Sequence, residues 1–385
     1  MLKNILFAGL AYYPNVGAGG PVRVMRSYGS ALISLGHNVT IYCSNIADRQ
    51  SNKMSESTIE TEMHGMRVVY LNSNLRLSHG LTISFDLLRF LNREMKSFDV
   101  VHLFGPRDFF TTMAAIYARK YGVPYIIHTI GSFNYNNSKV FLKTLWDAVI
   151  GRRIIYGAKY VVESNAEQVK YLLSYGIPID KTAVISWSPD PDLVECQTHR
   201  GNFRDKYGIP PEAKVILFLG RVSKKKRLDL VIQALAILND PDVFLIVVGH
   251  DDDGTMDILK RSVRELMFDN RVLWVGPIHS PESAAVYRDS DVFFLVSDNE
   301  SAPMALLEAC SLGVPVIISD YTGMSELIRN KAGVVVETTP EAVALGLKNL
   351  FNNPSLRQKF ADGGRRMIME HFSQDALGVK LTNLY

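Results

Sequence analysis

Short apolar, β-rich runs alternate with stretches of helical spacing along nearly the whole chain, and that alternation constrains the fold more than any other feature. In the first half, residues 4–9, 37–43, 66–71, 100–104, 124–129 and 161–165 read as strands, and 184–187 as a further short one. Helical spacing falls between them, over 21–35, 85–95, 111–121 and 166–175. The second half repeats the pattern, with strands at 215–219, 243–248, 272–275, 292–296, 315–319 and 333–337. Helices are predicted there over 228–238, 256–267, 281–288, 304–312 and 324–329. Strand–helix alternation of this kind builds a parallel, doubly wound sheet. Two such series predict an α/β chain of two Rossmann-like doubly wound parallel-sheet domains facing a cleft. The boundary falls at 187/188, giving domains 1–187 and 188–371. The Pro- and Asp-bearing stretch 188–202, which has no clear periodicity, is read as the connection.

A chain of 385 residues is long for one core, which fits the same division. Its 47% hydrophobic and 21% charged residues are those of an ordinary soluble protein. Cys43, Cys196 and Cys310 are far apart and odd in number, so they imply a reducing, cytoplasmic setting and no metal or disulfide framework. The start, Met1 to Leu10, reads as a first strand and not as a signal peptide. The net charge of +3 hides an asymmetry: residues 1–187 carry 20 Lys and Arg against 12 Asp and Glu, and residues 188–385 carry 22 against 27. A basic first half implies an anionic partner, an acidic acceptor or a membrane surface. Its basic residues are scattered without an aromatic-basic signature, which argues against nucleic acid. Residues 138–160, with Lys139, Lys143, Trp146, Arg152, Arg153 and Tyr156, form a basic amphipathic stretch. Two readings stay open for it: peripheral contact with the inner face of a membrane or a lipid-linked substrate, and an ordinary surface helix with its apolar side inward.

The chemistry is densest in Asn299-Glu300-Ser301-Ala302-Pro303-Met304-Ala305-Leu306-Leu307-Glu308. An apolar run precedes it and good helix formers follow until Gly313. Glu300 is therefore expected in a strand-to-helix turn, with Pro303 at or near the first helical position. Glu308 is expected about a turn and a half into the helix, ~8 Å further along its axis. A helix N-terminus offers free N–H groups and partial positive charge. Two acids beside it suit a ligand with an anionic middle and hydroxyl-rich ends, which is the layout of a nucleotide sugar. Solvated surface glutamates are the alternative. Against it, Glu308 sits among Ala305, Leu306, Leu307, Ala309 and Cys310, where a carboxylate needs a partner.

Other strand ends carry further candidates, because open α/β sheets bind ligands there. The loop Asn15-Val16-Gly17-Ala18-Gly19-Gly20-Pro21 follows the first strand, and its glycines let backbone N–H groups approach an anion. It is not a GxGxxG fingerprint, and no acid closes Ile41-Tyr42-Cys43-Ser44, which argues against a nicotinamide enzyme. His102 and His128 end apolar runs, and His128 is favoured as functional. Gly220-Arg221-Val222-Ser223-Lys224-Lys225-Lys226-Arg227 places cations on a loop entering a helix, suited to a diphosphate. Asp251-Asp252-Asp253 is read as a solvent-facing acidic loop in preference to a Mg²⁺-binding Asp-x-Asp, since Arg and Lys already supply positive charge.

In their order and spacing, Arg221 with Lys226, Glu300 with Glu308, and Gly323 with Glu326 resemble the retaining glycosyltransferases of family 4, which have the GT-B fold. The resemblance covers nearly the whole chain. It implies transfer of a hexose-type sugar, with retention, from a nucleotide-diphosphate sugar to a glycan or lipid-linked acceptor, in polysaccharide biosynthesis or a similar pathway. A UDP-sugar is favoured as substrate, with no cofactor and no metal. It implies that residues 1–187 bind the acceptor, helped by a crossover helix over 372–385, and that 188–371 bind the donor. Gly19 and Gly20 would place N–H groups near the donor phosphate, and His128 would contact the transferred sugar. Arg221 and Lys226 would bind the diphosphate. Glu300, with backbone at Ala302, Pro303 and Met304, would hold donor sugar hydroxyls, Glu308 the ribose, and backbone near Ile278 the base. The usual Gly-Phe-Gly after Glu300 is Ser301-Ala302-Pro303 here, and Arg227 replaces the usual Gly after the Lys. A GT-B-fold sugar-nucleotide epimerase and a non-catalytic sugar-nucleotide-binding subunit are the alternatives.

Overall fold

The structure, a computed structural model, describes residues 1–15, 20–47, 52–76, 82–130, 146, 150–278 and 280–385. The chain divides into two units, Met1–Trp187 with Gln374–Tyr385, and Ser188–Ser373. In the first unit the strands are β1 (Asn4–Gly9), β2 (Asn38–Ser44), β3 (Ile59–Met63), β4 (Met66–Leu71), β5 (Leu75–Arg76), β6 (Thr82–Ile83), β7 (Val100–Phe104), β8 (Tyr125–His128), β9 (Tyr160–Glu163) and β10 (Thr182–Val184). Eight of them form one sheet in the order β10-β9-β8-β7-β1-β2-β4-β3, and β5 and β6 pair separately. All neighbours in the large sheet are parallel except β3 and β4. Helices cover both faces, so β1 and β7 are apolar almost throughout and buried. One face packs Leu6, Ala8, Val101, Leu103, Tyr125 and Ile127 against the helices Phe85–Glu94 and Phe109–Tyr121.

The second unit holds β11 (Lys214–Leu219), β12 (Val243–Val248), β13 (Val272–Gly276), β14 (Val292–Leu295), β15 (Val316–Ser319) and β16 (Gly333–Val336). Their order is β13-β12-β11-β14-β15-β16, all parallel. The helices Pro340–Asn352 and Pro354–Met367 follow β16. Each starts on proline, capped by Thr339 and Asn353 respectively.

Some local expectations change. The expected strand at 184–187 lies earlier, as β10 at Thr182–Val184, which ends where its partner β9 ends at Glu163. The stretch 188–202 is not irregular throughout, because Asp190 caps the helix Pro191–Glu195, which is too short to leave a periodic signal. Strand β3 was not anticipated. Its sequence IETEM is mostly exposed, and it reaches β4 through His64 and Gly65, both at positive φ. The predicted tail helix spans Gln374–Leu384, after a π-helical turn at Ile368–Phe372. It packs on the helix Gly20–Ser34 so closely that a Cβ at Gly378 would lie 2.6 Å from the Ala31 carbonyl oxygen. Among the described residues no helix is long and apolar enough to cross a membrane. Ile154 and Ile155 point inward while Arg152, Arg153 and Tyr156 are exposed, so the helix Arg152–Gly157 has the ordinary surface arrangement. The rest of the basic stretch lies outside the described residues except for Trp146, Ile150 and Gly151 and the segment from Ala158 to Tyr160.

Gly249, at the end of β12, has φ 150°, and a Cβ there would lie 1.8 Å from the Gly220 carbonyl oxygen at the end of β11. Two strand ends meet at that point with no room for a side chain. Gly249→Ala is expected to destabilise the second unit by ~2–4 kcal/mol, read as a lowered thermal midpoint in a melting experiment.

Candidate functional site

Strand order reverses between β11 and β14: from β11 the chain moves outward through β12 and β13, then returns to place β14 on the other side. In open α/β sheets the carboxyl ends of the strands on either side of such a reversal are where ligands bind. The basic loop leaves β11 and the acidic motif leaves β14. The amide of Asp298 donates to the Lys225 carbonyl at 2.9 Å. Lys226 Nζ donates to Glu300 Oε1, and both side chains are mostly buried, at 12% and 14% exposure. Glu300 is also fixed to the turn after β15, through its amide to the Tyr321 carbonyl at 3.2 Å and its carbonyl to the Gly323 amide at 2.7 Å. Gly323 therefore touches the acidic motif through backbone, whereas Glu326 points outward and lies 3.9 Å from Arg329.

Two other cations of the basic loop, Arg221 and Arg227, also have acidic partners. Arg221 Nη1 binds both oxygens of Asp252, at 2.9 and 3.1 Å. Arg227 bridges Asp229 and Asp298, at 3.1 and 3.2 Å. Asp251–Asp253 is exposed, as expected of a surface loop, but it is tied to the basic loop. Asp252 holds Arg221, and Asp253 accepts from the Lys224 amide at 3.0 Å. Asp251 accepts from the Gly254 amide at 3.0 Å. Among the described residues no group of three His, Cys, Asp or Glu side chains is arranged to hold a metal ion.

The helix after Glu300 runs Met304–Ser311. Pro303 is its N-cap, with φ −70° and ψ 124°, one place earlier than the first helical position. The amides of Met304 and Ala305 find no acceptor among the described residues, as the first turn of a helix requires. Ala302 is buried and Pro303 carries no N–H, so the free donors begin at Met304. Glu308 is 2% exposed, and its carboxylate accepts from the Tyr287 hydroxyl at 2.8 Å. Tyr287 lies on the helix Ser283–Arg288 and supplies the partner that the apolar setting of Glu308 demanded. Ile278 is half-buried just beyond Gly276, whose carbonyl accepts from the Gly249 amide.

In the first unit, strand alternation sends His102 and His128 to the face opposite the large apolar cluster. There they meet Phe7, Phe104 and Tyr28, with the His128 ring 5.4 Å from that of Tyr28. His102 Nδ1 lies 2.6 Å from the hydroxyl of Tyr385, the residue that follows the helix Gln374–Leu384. Neither nitrogen of His128 has a hydrogen-bond partner among the described residues. Burial without a countercharge drives its pKa down to about 3 and that of His102 well below the ordinary value, so both rings are neutral. Ile130, two residues on, has φ 50°, an unfavourable backbone for a β-branched residue. Its methyl would lie 3.8 Å from a Cβ at Gly20, which opens the helix Gly20–Ser34. Gly19 lies outside the described residues.

The structure thus brings Arg221, Lys226, Glu300, Ala302, Pro303, Met304 and Glu308 to one end of the second sheet, with Ile278 on the loop after β13. Gly20 and His128 belong to the first unit and are described there alone. Sequence reasoning missed Tyr287, Asp252 and Asp298 as partners of these groups, and Glu163, a buried carboxylate that accepts from the Thr129 hydroxyl. A signal was present for Glu163, which ends the apolar run Tyr160-Val161-Val162.

Residues 19–187 match the glycosyl transferase 4-like domain, and residues 199–367 match the family of glycosyl transferases group 1. An uncharacterized glycosyltransferase of Methanocaldococcus jannaschii is 26% identical over 217 residues, 55% of each chain. A D-inositol 3-phosphate glycosyltransferase of Corynebacterium glutamicum is 27% identical over 248 residues, 61% of this chain and 58% of the other. The chain spans a little over half the length of the curated relatives it matches. In fold it is similar to HepE of Anabaena in complex with UDP and glucose, with a TM-score of 0.76 at 15% identity over 100% of this chain and 99% of that one. HepE has also been solved with UDP-glucose. With a 4-like domain followed by a group 1 domain, this chain belongs to the GT4-type, group 1 glycosyltransferases.

Proposed function

We propose that the chain transfers a hexose-type sugar, with retention of anomeric configuration and without a metal, from a nucleotide-diphosphate sugar to a glycan or lipid-linked acceptor. The observation that carries this reading is the Lys226–Glu300 pair beside the open N-terminus of the helix Met304–Ser311, with the buried Glu308 further along that helix. A diphosphate entering the crevice exchanges carboxylate partners for its own oxygens at Lys226 and Arg221. Glu300, released from Lys226, accepts hydrogen bonds from hydroxyls of the donor sugar. Glu308, held by Tyr287, is an acceptor suited to ribose hydroxyls. Cleavage of the sugar–phosphate bond builds an oxocarbenium-like sugar and a more negative leaving diphosphate. Cations fixed on that diphosphate therefore act mostly in the transition state. A UDP-sugar is the favoured donor, consistent with the UDP-glucose complex of HepE. In the first unit, His128 is neutral and buried, and its ring nitrogens find no partner among the described residues, so a sugar hydroxyl brought to it would meet both a donor and an acceptor. Exposed Arg152 and Arg153 are candidates for contact with the anionic part of a lipid-linked acceptor.

Calorimetric titration with UDP, GDP and ADP, with and without EDTA, tests the donor site. One nucleotide binding equally in both conditions is the expected result, and binding abolished by EDTA overturns the metal-free reading. Lys226→Ala is expected to lower kcat/KM by ~10²–10³, the usual loss for one transition-state charge contact, with nucleotide released only when an acceptor is present. Full activity in both Lys226→Ala and Glu300→Ala would remove the assignment.

Tyr287→Phe leaves Glu308 without its 2.8 Å donor and is expected to weaken nucleotide binding about five-fold, ~1 kcal/mol, with a smaller effect on kcat, measured by titration and steady-state kinetics.

His128 binds a proton readily only when unfolded, because its folded pKa is depressed to about 3. The stability it contributes is complete above the unfolded value near 6.5 and is lost as pH falls from there towards 3. Denaturation of His128→Phe against the parent across that range should show a shallower pH dependence in the variant.

A further inference from the structure

Arg227 has left-handed backbone, φ 50° and ψ 41°, between the turn Lys224–Lys226 and the helix Leu228–Leu238. A residue with a side chain is unfavourable there and glycine is not. The arginine nevertheless makes specific contacts. Its Nε and Nη2 both bind Asp229 at 3.1 Å, and its Nη1 binds Asp298 at 3.2 Å. Asp298 is engaged twice, because its own amide holds the Lys225 carbonyl at 2.9 Å. The turn is also held on its outer side, where Asp253 accepts from the Lys224 amide at 3.0 Å. The three lysines of the turn are therefore fixed at each end. The middle contact and the Arg227 contact both run to the residue two places before Glu300, the partner of Lys226.

We infer that Arg227 is a positioning residue for Lys226: by bridging Asp229 to Asp298 it locks the Lys224–Lys226 turn onto the loop carrying Glu300, and so aims the Lys226 ammonium at the diphosphate. The inference rests on the reading of Lys226 as a phosphate-binding cation. Arg227 is 28% exposed and Asp298 50%, so their ion pair adds little to stability. Its effect is geometric. Without it the two loops keep only the Asp298–Lys225 backbone hydrogen bond once a ligand releases Lys226 from Glu300, and Lys226 samples positions away from the ligand.

The test is a double-mutant cycle on nucleotide affinity, using whichever of UDP, GDP and ADP binds the full chain, with thermal midpoints recorded for every variant. Arg227→Gly is expected to raise Kd about five-fold, a loss of ~1 kcal/mol, without lowering the thermal midpoint, since glycine relieves the left-handed backbone. Asp298→Asn is expected to do the same, and the two together no more than either alone. In a Lys226→Ala background Arg227→Gly is expected to leave Kd within two-fold of Lys226→Ala. An unchanged Kd in Arg227→Gly overturns the inference. So does an equal loss in both backgrounds, which would mean that Arg227 touches the ligand itself. If Lys226→Ala weakens binding and Arg227→Gly does not, the positioning role alone fails. If Lys226→Ala leaves Kd unchanged, the reading of the phosphate site fails and the positioning role goes with it.

Discussion

Parallel hydrogen bonding on both sides of two central strands is the constraint from which the rest of the molecule follows. β1 pairs with β2 on one side and β7 on the other, and β11 pairs with β12 and β14. A parallel strand in such a position cannot leave a face in water, so helices must cover both faces and the strands become near-continuous apolar runs. Each strand must also be followed by a crossover, which brings every strand-to-helix loop to the same edge of its sheet. In the second unit this collects the basic loop, the acidic motif and the Gly323 turn at one edge. The reversal of strand order at β11 makes two of those loops neighbours, the position at which open α/β sheets bind ligands. The chemistry of the site is a by-product of that geometry, with side chains chosen to exploit it.

Without a ligand, Arg221, Lys226 and Arg227 at this edge are held by carboxylates of the same unit. A mostly buried pair such as Lys226–Glu300 gains little net stability, because desolvation offsets most of the attraction. Its consequence is placement. The ammonium and the carboxylate are already within reach of the positions where a diphosphate and a hydroxylated ring would need them. Part of the entropy of ordering two long side chains is thus spent during folding and not during binding. Arg221, paired with Asp252 on the exposed side, is more easily released. Glu308 is set differently. It is buried on a helix apolar on most sides, and a tyrosine hydroxyl from a neighbouring helix keeps it satisfied.

The first unit handles its polar groups by packing. Alternation along β7 and β8 gives one face to Val101, Leu103, Tyr125 and Ile127 and the other to His102, Phe104 and His128, under Tyr28 and beside Tyr385. Removal from water keeps the imidazoles neutral, and a neutral imidazole is both donor and acceptor. The tail takes part in this arrangement, since Tyr385, just after the helix Gln374–Leu384, reaches His102 and Lys159 holds the carbonyl oxygens of Leu384 and Tyr385.

Much of this was legible in the residues. β1, β4, β7 and β12 lie where apolar runs with β-branched content place them, because burial on both faces leaves a local mark. β3 left none, since an exposed edge strand carries charges and no apolar pattern, and the helix Pro191–Glu195 is shorter than the period that would reveal it. In the site, the residue types and the strand ends they follow were visible, and so was the need of Glu308 for a partner. The partners themselves were not. Tyr287 is 21 residues from Glu308, Asp252 is 31 from Arg221, Glu300 is 74 from Lys226 and Tyr385 is 283 from His102. Sequence by itself determined where the buried strands and most of the helices between them lie and which strand-end loops carry charge, because periodicity and propensity act over a few neighbouring residues. Only the tertiary structure decided which charge meets which, because strand order and helix packing bring together residues that no local pattern connects.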